Sequence, residues 1–472
     1  MQKIVIEPVT RIEGHAKVTL HLGAKGKVEK AFMHVNEWRG FEKFCEGRPF
    51  FEMLQITPRI CGICPVSHHL ASAKACDLIV GANPPRPARL LRELMHMGQF
   101  IQSHSMHFFE LAGPDLLLGF DADPAIRNVV GVVQAHPELA MKAVKTRAFG
   151  QEIIRKLGTK SIHPIHSVPG GVNAPLSPED GEDLLSRIDE VIETIQTGLA
   201  LVQEWFEAHQ DLVARFAVFP SAYMGTVDKE GGLQLYEGMI RLIDQEGKIL
   251  EEFDPRHYLE VVAEHVEDWS YLKFPYYRKL GYPEGVYRVG PLARLNVAEK
   301  INTPLADAEL KQFKAKGGGR PVEGSLWYHY ARLIEDLYAA ERAREILSDP
   351  EIFSRDLTDG HHGFTGHGVG CLEAPRGTLF HDYQTDANGI LTRVNLIVAT
   401  GHNNWAMNKA VELAARAFVD GKKLTEGMLN QVEAAIRAYD PCLSCSTHAI
   451  GTMPLVVELI DPDGKTVDRM VR

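Results

Sequence analysis

Two stretches near opposite ends of the chain decide its fold: Arg59-Ile60-Cys61-Gly62-Ile63-Cys64-Pro65-Val66-Ser67-His68 and Asp440-Pro441-Cys442-Leu443-Ser444-Cys445-Ser446-Thr447-His448. Each holds a C-x-x-C pair, which offers two thiols from one tight turn, and each pair is followed by a histidine. Brought together, the pairs make a four-sulfur site. Soft thiolates favour zinc, an iron–sulfur cluster or a soft late transition metal. A structural zinc site is the plain reading of the spacing. Such sites usually staple short, loop-rich segments that lack a core of their own. Here a long stretch with apolar helical patterns separates the pairs, so a site tying both ends to one large core points to catalysis. His68 and His448 have an everyday role as hydrogen-bonding core residues. Beside a metal-bound sulfur, the same imidazole N–H can donate to the sulfur and tune it.

Composition bounds the answer. The 472 residues are 45% hydrophobic and 24% charged, with a formal net charge of −11, which is material for a substantial core. The acidic balance argues against nucleic acid or an anionic membrane as the main partner. Only seven cysteines are present, too few for a disulfide scaffold of this length. Cys45, Cys76 and Cys371 stand alone and read as inert buried thiols. No apolar run reaches the ~20 residues that span a bilayer. Met1 leads into Lys3-Ile4-Val5-Ile6 without the pattern of a signal peptide. The cytoplasm is the expected location, and there C-x-x-C pairs serve metal or redox chemistry more often than disulfides.

Periodicity predicts a helix-dominated α+β fold. Residues 16–22 and 27–35 alternate across a turn at 23–26, a hairpin pattern. After Pro84, Pro85 and Pro87, the residues Leu90, Leu94, Met97, Ile101 and Phe108 keep one apolar face, and Gly113-Pro114 is expected to end that helix. Ser177-Pro178-Glu179-Asp180 is a helix start, followed by a face of Leu184, Ile188, Val191, Ile195, Leu199 and Val202. Further helices are expected over 326–347, after Asn403 and before Tyr439, and short strands within 239–253 and 394–398. His361, His362 and His367 fall in a Gly-rich stretch that reads as a solvated loop; His96, His104 and His107 read as core or interface polar residues.

The flanks of the cysteine pairs carry a family resemblance. Arg11-Ile12-Glu13-Gly14-His15, Arg39-Gly40-Phe41-Glu42, the helix from Ser103-His104 to Gly113-Pro114-Asp115, Glu373-Ala374-Pro375-Arg376-Gly377, and the two cysteine stretches follow one another in order. In this the chain resembles the large, catalytic subunit of NiFe hydrogenases. The resemblance implies one domain over residues 1–448, a central bundle of long helices with small peripheral β-sheets. The quinone-side subunit of respiratory complex I shares that fold, but it lacks the four cysteines.

The resemblance also implies a site. Cys61 and Cys442 would be terminal nickel ligands, while Cys64 and Cys445 would bridge nickel to an iron carrying carbon monoxide and two cyanides. The implied chemistry is heterolytic cleavage of H2 to a proton and a hydride, a metal acting as Lewis acid beside a base. Cys442 ranks ahead of Arg376 as that base, because arginine is normally always protonated. A charged Arg376 would polarise bound hydrogen and hydrogen-bond a cyanide. Glu13 would take the proton from Cys442; its ordinary alternative is an ion pair with Arg11. Asp115 and Asp440 would hold Arg376. His68 and Pro375 would border the cofactor, and Thr400 would donate to the other cyanide. Glu42 and His448 match a magnesium site.

Residues 449–472 form a tail that the resemblance marks for removal by a maturation endopeptidase after nickel-insertion factors have acted; an ordinary C-terminal strand is the alternative. Four of seven cysteines are spent on one site, so electrons need an iron–sulfur small subunit, expected against the helix of residues 87–113 and the N-terminal motif. Residues 39–50 look most like the NAD-reducing branch, which adds diaphorase subunits carrying FMN and binding NAD. NADP-, deazaflavin- and heterodisulfide-linked branches share the metal motifs. A zinc-binding scaffold is the non-redox alternative.

Overall fold

The computed structural model describes residues 2–23, 26–35, 37, 40–360, 362–419 and 423–447, and the backbone of the strands Val456–Ile460 and Thr466–Val471. Ser177 starts its helix as expected: its Oγ accepts the amide of Asp180 at 3.1 Å and satisfies one orphan donor of the first turn. The helix runs Pro178–Ala208 and buries Leu184, Ile188, Val191, Ile195, Leu199 and Val202. It lies against Trp327–Leu347, which in turn packs on Arg86–Ser105. Pro137–Gly158 closes the bundle from the other side of Arg86–Ser105. Asn404–Phe418 and Glu426–Arg437 pair beside it.

Arg86–Ser105 differs from its expectation twice. Gly113-Pro114 does not end the helical path. The chain widens into a π-helical stretch, Met106–Ala112, and resumes as Gly113–Leu118. Pro114 therefore sits in a first turn, where no intrahelical N–H bond is required of it. The helix is also buried on nearly all sides rather than on one face, with only Arg86, Arg89 and Glu93 reaching the surface. Arg92, His96, Gln99, Gln102, Ser103 and His104 are all buried, and each finds partners inside the chain. Arg92 pairs with Asp77 at 2.6 Å. His96 Nε2 donates to the carbonyls of Glu373 and Leu235 at 2.8 and 3.2 Å.

Short sheets, antiparallel except where Tyr287–Arg288 joins its neighbour in parallel, surround the bundle. The N-terminal hairpin Lys17–Leu22/Val28–His34 gains a third strand, Gln2–Ile6. A four-stranded sheet is ordered Tyr287–Arg288, Ala222–Val227, Met239–Ile243, Ile249–Phe253. The sheet that matters most is His367–Ala374, Gly377–Thr385 and Leu391–Ile397. Its first strand lies on the helix Pro65–Ile79. Gly368 and Gly370 permit this: a Cβ on either would stand 2.0 or 1.9 Å from the carbonyl oxygens of Ala75 and Ala71. The Gly-rich stretch is thus partly strand, and His367 opens it, with Nε2 2.8 Å from Asp382. Among the described residues, no helix is long and apolar enough to cross a membrane.

Candidate metal centre

Local structure explains how each cysteine pair is presented. The turn Thr57–Ile60 delivers Cys61 in an extended conformation, and Cys64 is the N-cap of Pro65–Ile79, with proline in the first turn where its missing N–H is harmless. Gln99 and Gln102 both donate to the carbonyl of Ile63, at 2.7 and 2.8 Å, and pin the turn to the buried helix. The second pair is held by the N-terminal motif. Glu13 and Cys442 form a parallel β-bridge; the Leu443 amide donates to the Glu13 carbonyl at 3.1 Å. The Ser444 amide donates to Glu13 Oε2 at 3.0 Å. Gly14 makes the approach feasible: its φ is +82°, and a Cβ there would lie 2.7 Å from Leu443 Cβ.

The two pairs converge. The sulfurs of Cys61, Cys64, Cys442 and Cys445 all lie within 4.8 Å of one another, with Cys442 3.2 Å from Cys61 and 2.9 Å from Cys445, and Cys64 3.3 Å from Cys445. All four are at most 5% exposed. Four thiolates cannot coexist in so dry a site without a cation. Hydrogen bonds from the other three thiols lower Cys61 well below its usual range, while burial and the neighbouring sulfurs push Cys442 and Cys445 well above theirs. The quartet therefore binds protons or metal, and its softness selects a thiophilic metal.

Arg376 faces this cluster from a hairpin tip. Ala374 pairs with Gly377, so Pro375-Arg376 is a two-residue turn between buried strands. Arg376 Nε donates to the Asp440 carbonyl at 2.6 Å and Nη2 to Asp440 Oδ1 at 3.0 Å. Burial alone would lower its pKa, but Asp440 and the nearby thiolates outweigh that and raise it, so it remains a cation. Asp115 does not hold Arg376. It lies on Gly113–Leu118, facing the helix Glu426–Arg437, and binds Arg11 at 2.5 Å and Arg437. Burial would raise the Asp115 carboxyl; Arg437 and Arg11 overcome this and bring it below its ordinary range. Its carboxylate clamps the N-terminal motif to the helix that precedes Cys442. Arg11 thereby pairs with Asp115, and Glu13 with the Ser444 amide.

One residue with no local motif supports the hairpin. Fully buried Arg294 binds Glu335 at 2.5 and 2.6 Å and Glu373 at 2.8 Å, and donates to the carbonyls of Ala374 and Pro375 at 2.8 and 3.1 Å. Its partners lie far along the chain on separate elements, so no spacing rule finds it.

A small cavity opens between the sulfurs and the hairpin. Cys64, Cys442 and Cys445 line it with His68, Ala374, Pro375, Arg376, Leu379, Val398, Ala399 and Thr400. Thr400 Oγ1 accepts the amide of Cys442 at 2.9 Å, which leaves its hydroxyl proton for another acceptor. The cavity thus offers two polar donors, Arg376 and Thr400, and an apolar wall. His68 Nε2 is 3.4 Å from Cys445 Sγ. Glu42 Oε1 accepts the amide of Leu396 at 2.8 Å, and burial pushes its carboxyl up. His448 and the tail's junction at 449–455 lie outside the described residues. Among the described residues, the cysteine quartet is the one cluster of three or more metal-ligating side chains. Cys45, Cys76 and Cys371 are buried thiols whose pKa values burial raises, Cys45 to about 12. His96, His104 and His107 are core residues.

Comparison with known proteins agrees with this geometry. A family model described as nickel-dependent hydrogenase matches residues 39–128 and 227–448, and a HoxL-like model matches residues 3–38. The beta subunit of the NAD-reducing hydrogenase HoxS of Cupriavidus necator is 46% identical, with all of both chains covered. One subunit of the vhu F420-non-reducing hydrogenase of Methanococcus voltae is 49% identical over 89% of this chain and 99% of its own length. A crystal structure of an NAD+-reducing NiFe hydrogenase in its H2-reduced state superposes with a TM-score of 0.93 at 45% identity, covering 95% of this chain and all of that one. Identity at this level from end to end, on a chain whose cysteines converge in one buried site, makes the protein a member of the nickel-dependent hydrogenase family, as its large, catalytic subunit.

Proposed function

We propose that this subunit cleaves H2 reversibly and passes the electrons, through an iron–sulfur small subunit, to NAD+ on flavin-containing diaphorase subunits. The observation that carries the reading is the buried cysteine quartet facing a fixed guanidinium across a small cavity. Cys61 and Cys442 would hold nickel as terminal ligands, and Cys64 and Cys445 would be shared between nickel and an iron that carries carbon monoxide and two cyanides. Bound there, the metal pair supplies the Lewis acid and the electron sink that hydrogen lacks in water. The chain's own residues do the rest. Cys442 receives the proton, because Arg376 is held charged and cannot. Arg376 would polarise the substrate and, with Thr400, would donate hydrogen bonds to the two cyanides. Asp440 fixes Arg376, and His68 and Pro375 border the cofactor. Glu13, docked on the backbone just beyond Cys442, carries the proton away. Glu42 and His448 would hold a magnesium ion. The catalytic domain spans residues 1–448, and an endopeptidase removes 449–472 once nickel-insertion factors have loaded the site. The complex works in the cytoplasm, without nucleic acid or membrane.

Infrared spectroscopy with metal analysis tests this. Bands of metal-bound carbon monoxide and cyanide are expected, with nickel and iron both bound; zinc without nickel would defeat the proposal. Cys442→Ser should abolish H2/D2 exchange, whereas Glu13→Gln should slow it with the metal site intact. The likeness to F420-non-reducing hydrogenases supports a second reading in which another acceptor replaces NAD+. Reduction of NAD+, NADP+, a deazaflavin and a heterodisulfide by the purified complex under H2 separates the two.

A further inference from the structure

Residues 379, 381 and 383 of the middle strand Gly377–Thr385 share one face by the two-residue repeat of a strand. On that face His381 Nε2 lies 3.0 Å from His68 Nδ1, and His381 Nδ1 lies 2.5 Å from the Tyr383 hydroxyl. His68 Nε2 in turn lies 3.4 Å from Cys445 Sγ. All four residues are at most 1% exposed, so the contacts form a line running from a sulfur of the metal centre into the core.

Such a line has a direction. A metal-bound thiolate can only accept, so His68 must carry its proton on Nε2. A neutral imidazole has one donor and one acceptor, so His68 Nδ1 accepts and His381 Nε2 donates. His381 Nδ1 then accepts, and the Tyr383 hydroxyl must be the donor at the far end. Burial lifts the Tyr383 phenol far above its ordinary range, so it keeps the proton it has to donate. No group gains or loses a proton; only the placement of each is fixed.

Resting on the hydrogenase reading, we infer that Tyr383 and His381 are positioning residues that lock the tautomer of His68 and thereby aim its N–H at the bridging sulfur of Cys445. The lock withdraws electron density from that sulfur and, through it, from both metals. A ring nitrogen with two equivalent choices would donate to the sulfur only part of the time; the hydroxyl at the end of the line removes the choice.

The test is the position of the iron-bound carbon monoxide band in holoenzyme, with nickel and iron content measured on the same samples. Tyr383→Phe removes one buried oxygen atom, and His381→Leu removes the donor to His68. In both, the band should move to lower wavenumber, because a sulfur that is no longer hydrogen-bonded pushes more charge onto iron. His381→Gln keeps an N–H for His68 and should restore the wild-type band. Unchanged bands in Tyr383→Phe and His381→Leu would overturn the inference. A shift in His381→Gln as large as that in His381→Leu would also overturn it, since ring packing would then be the cause. Loss of metal from Tyr383→Phe would do the same by showing a role in assembly instead. Absence of the band from wild-type holoenzyme defeats the hydrogenase reading itself, an outcome distinct from the other three.

Discussion

His96 ties the Glu373 carbonyl, at the base of the Arg376 hairpin, to the buried helix Arg86–Ser105, and it does so as a neutral ring. Burial lowers its pKa from 6.5 to about 3, with the hydrogen bonds to Glu373 and Leu235 opposing only part of that. In the unfolded chain the ring titrates near 6.5. The folded value lies below the unfolded one, so the stability it contributes is present above pH 6.5 and is lost as pH falls from there towards 3. Between pH 7 and pH 5 the unfolded state gains about 1.9 kcal/mol from protonating this one ring, roughly a 25-fold change in the folded-to-unfolded ratio. Asp336, Glu373 and Asp440, whose carboxyls burial raises, act in the opposite sense. A comparison of two proteins cancels them. Gln at position 96 can reach the same carbonyls with an N–H that never titrates. Urea unfolding of wild type and His96→Gln at pH 7 and pH 5 should show wild type losing about 1.9 kcal/mol more than the variant over that interval. Equal losses would mean that His96 is not held neutral, and that the hairpin does not rest on a dry contact.

Three further outcomes follow from the supports of the site. Arg294→Gln leaves Glu335 and Glu373 buried without their cation; a loss of about 3–5 kcal/mol in urea unfolding is expected, and nickel content should fall because the Ala374 and Pro375 carbonyls lose their holder. Asp115→Asn breaks the clamp on Arg11 and Arg437. The carboxyl is held below its ordinary 3.8, so its contribution exists above pH 3.8 and vanishes as pH falls through the lower folded value. The variant should be less stable by about 3–5 kcal/mol at pH 7 and nearer to wild type at pH 3, as read by thermal melting. Gly14→Ala forces a side chain into a left-handed position against Leu443. Strain of about 1–3 kcal/mol should fall on the Cys442 segment alone, with nickel occupancy reduced and the melting temperature nearly kept.

Local signals were legible and long-range ones were not. Ser177 capped its helix because the cap, the proline and the first-turn acid act within four residues. Both C-x-x-C turns lay in contiguous motifs, and so did the Pro375-Arg376 tip, because a tight turn needs few residues. The error at Gly113-Pro114 came from a rule about α-helices applied where the helix widens and restarts. The partner of Asp115 was misjudged because Arg11, Arg437 and Arg376 are equally plausible cations in one dimension. Arg294, His381 and Tyr383 had no signature at all: their partners sit on other elements, and a buried polar residue in an apolar pattern looks like noise until its acceptors are seen. The burial of Arg92, His96, Gln99, Gln102 and His104 on Arg86–Ser105 was hidden for the same reason, since such polar residues imitate a solvent face.

The β-bridge between Glu13 and Cys442 sets an order of events during synthesis. A ribosome makes residue 13 long before residue 442, so this contact waits for the whole stretch between them. The Gln99 and Gln102 anchors and the Arg294 fork are made earlier, whereas Arg376 finds its partner, Asp440, only with the same late segment. Cys61 and Cys64 are therefore synthesised, together with the glutamines that pin their turn, before Cys442 and Cys445 exist. The buried four-sulfur site is complete only once the segment of Cys442 has joined the N-terminal motif.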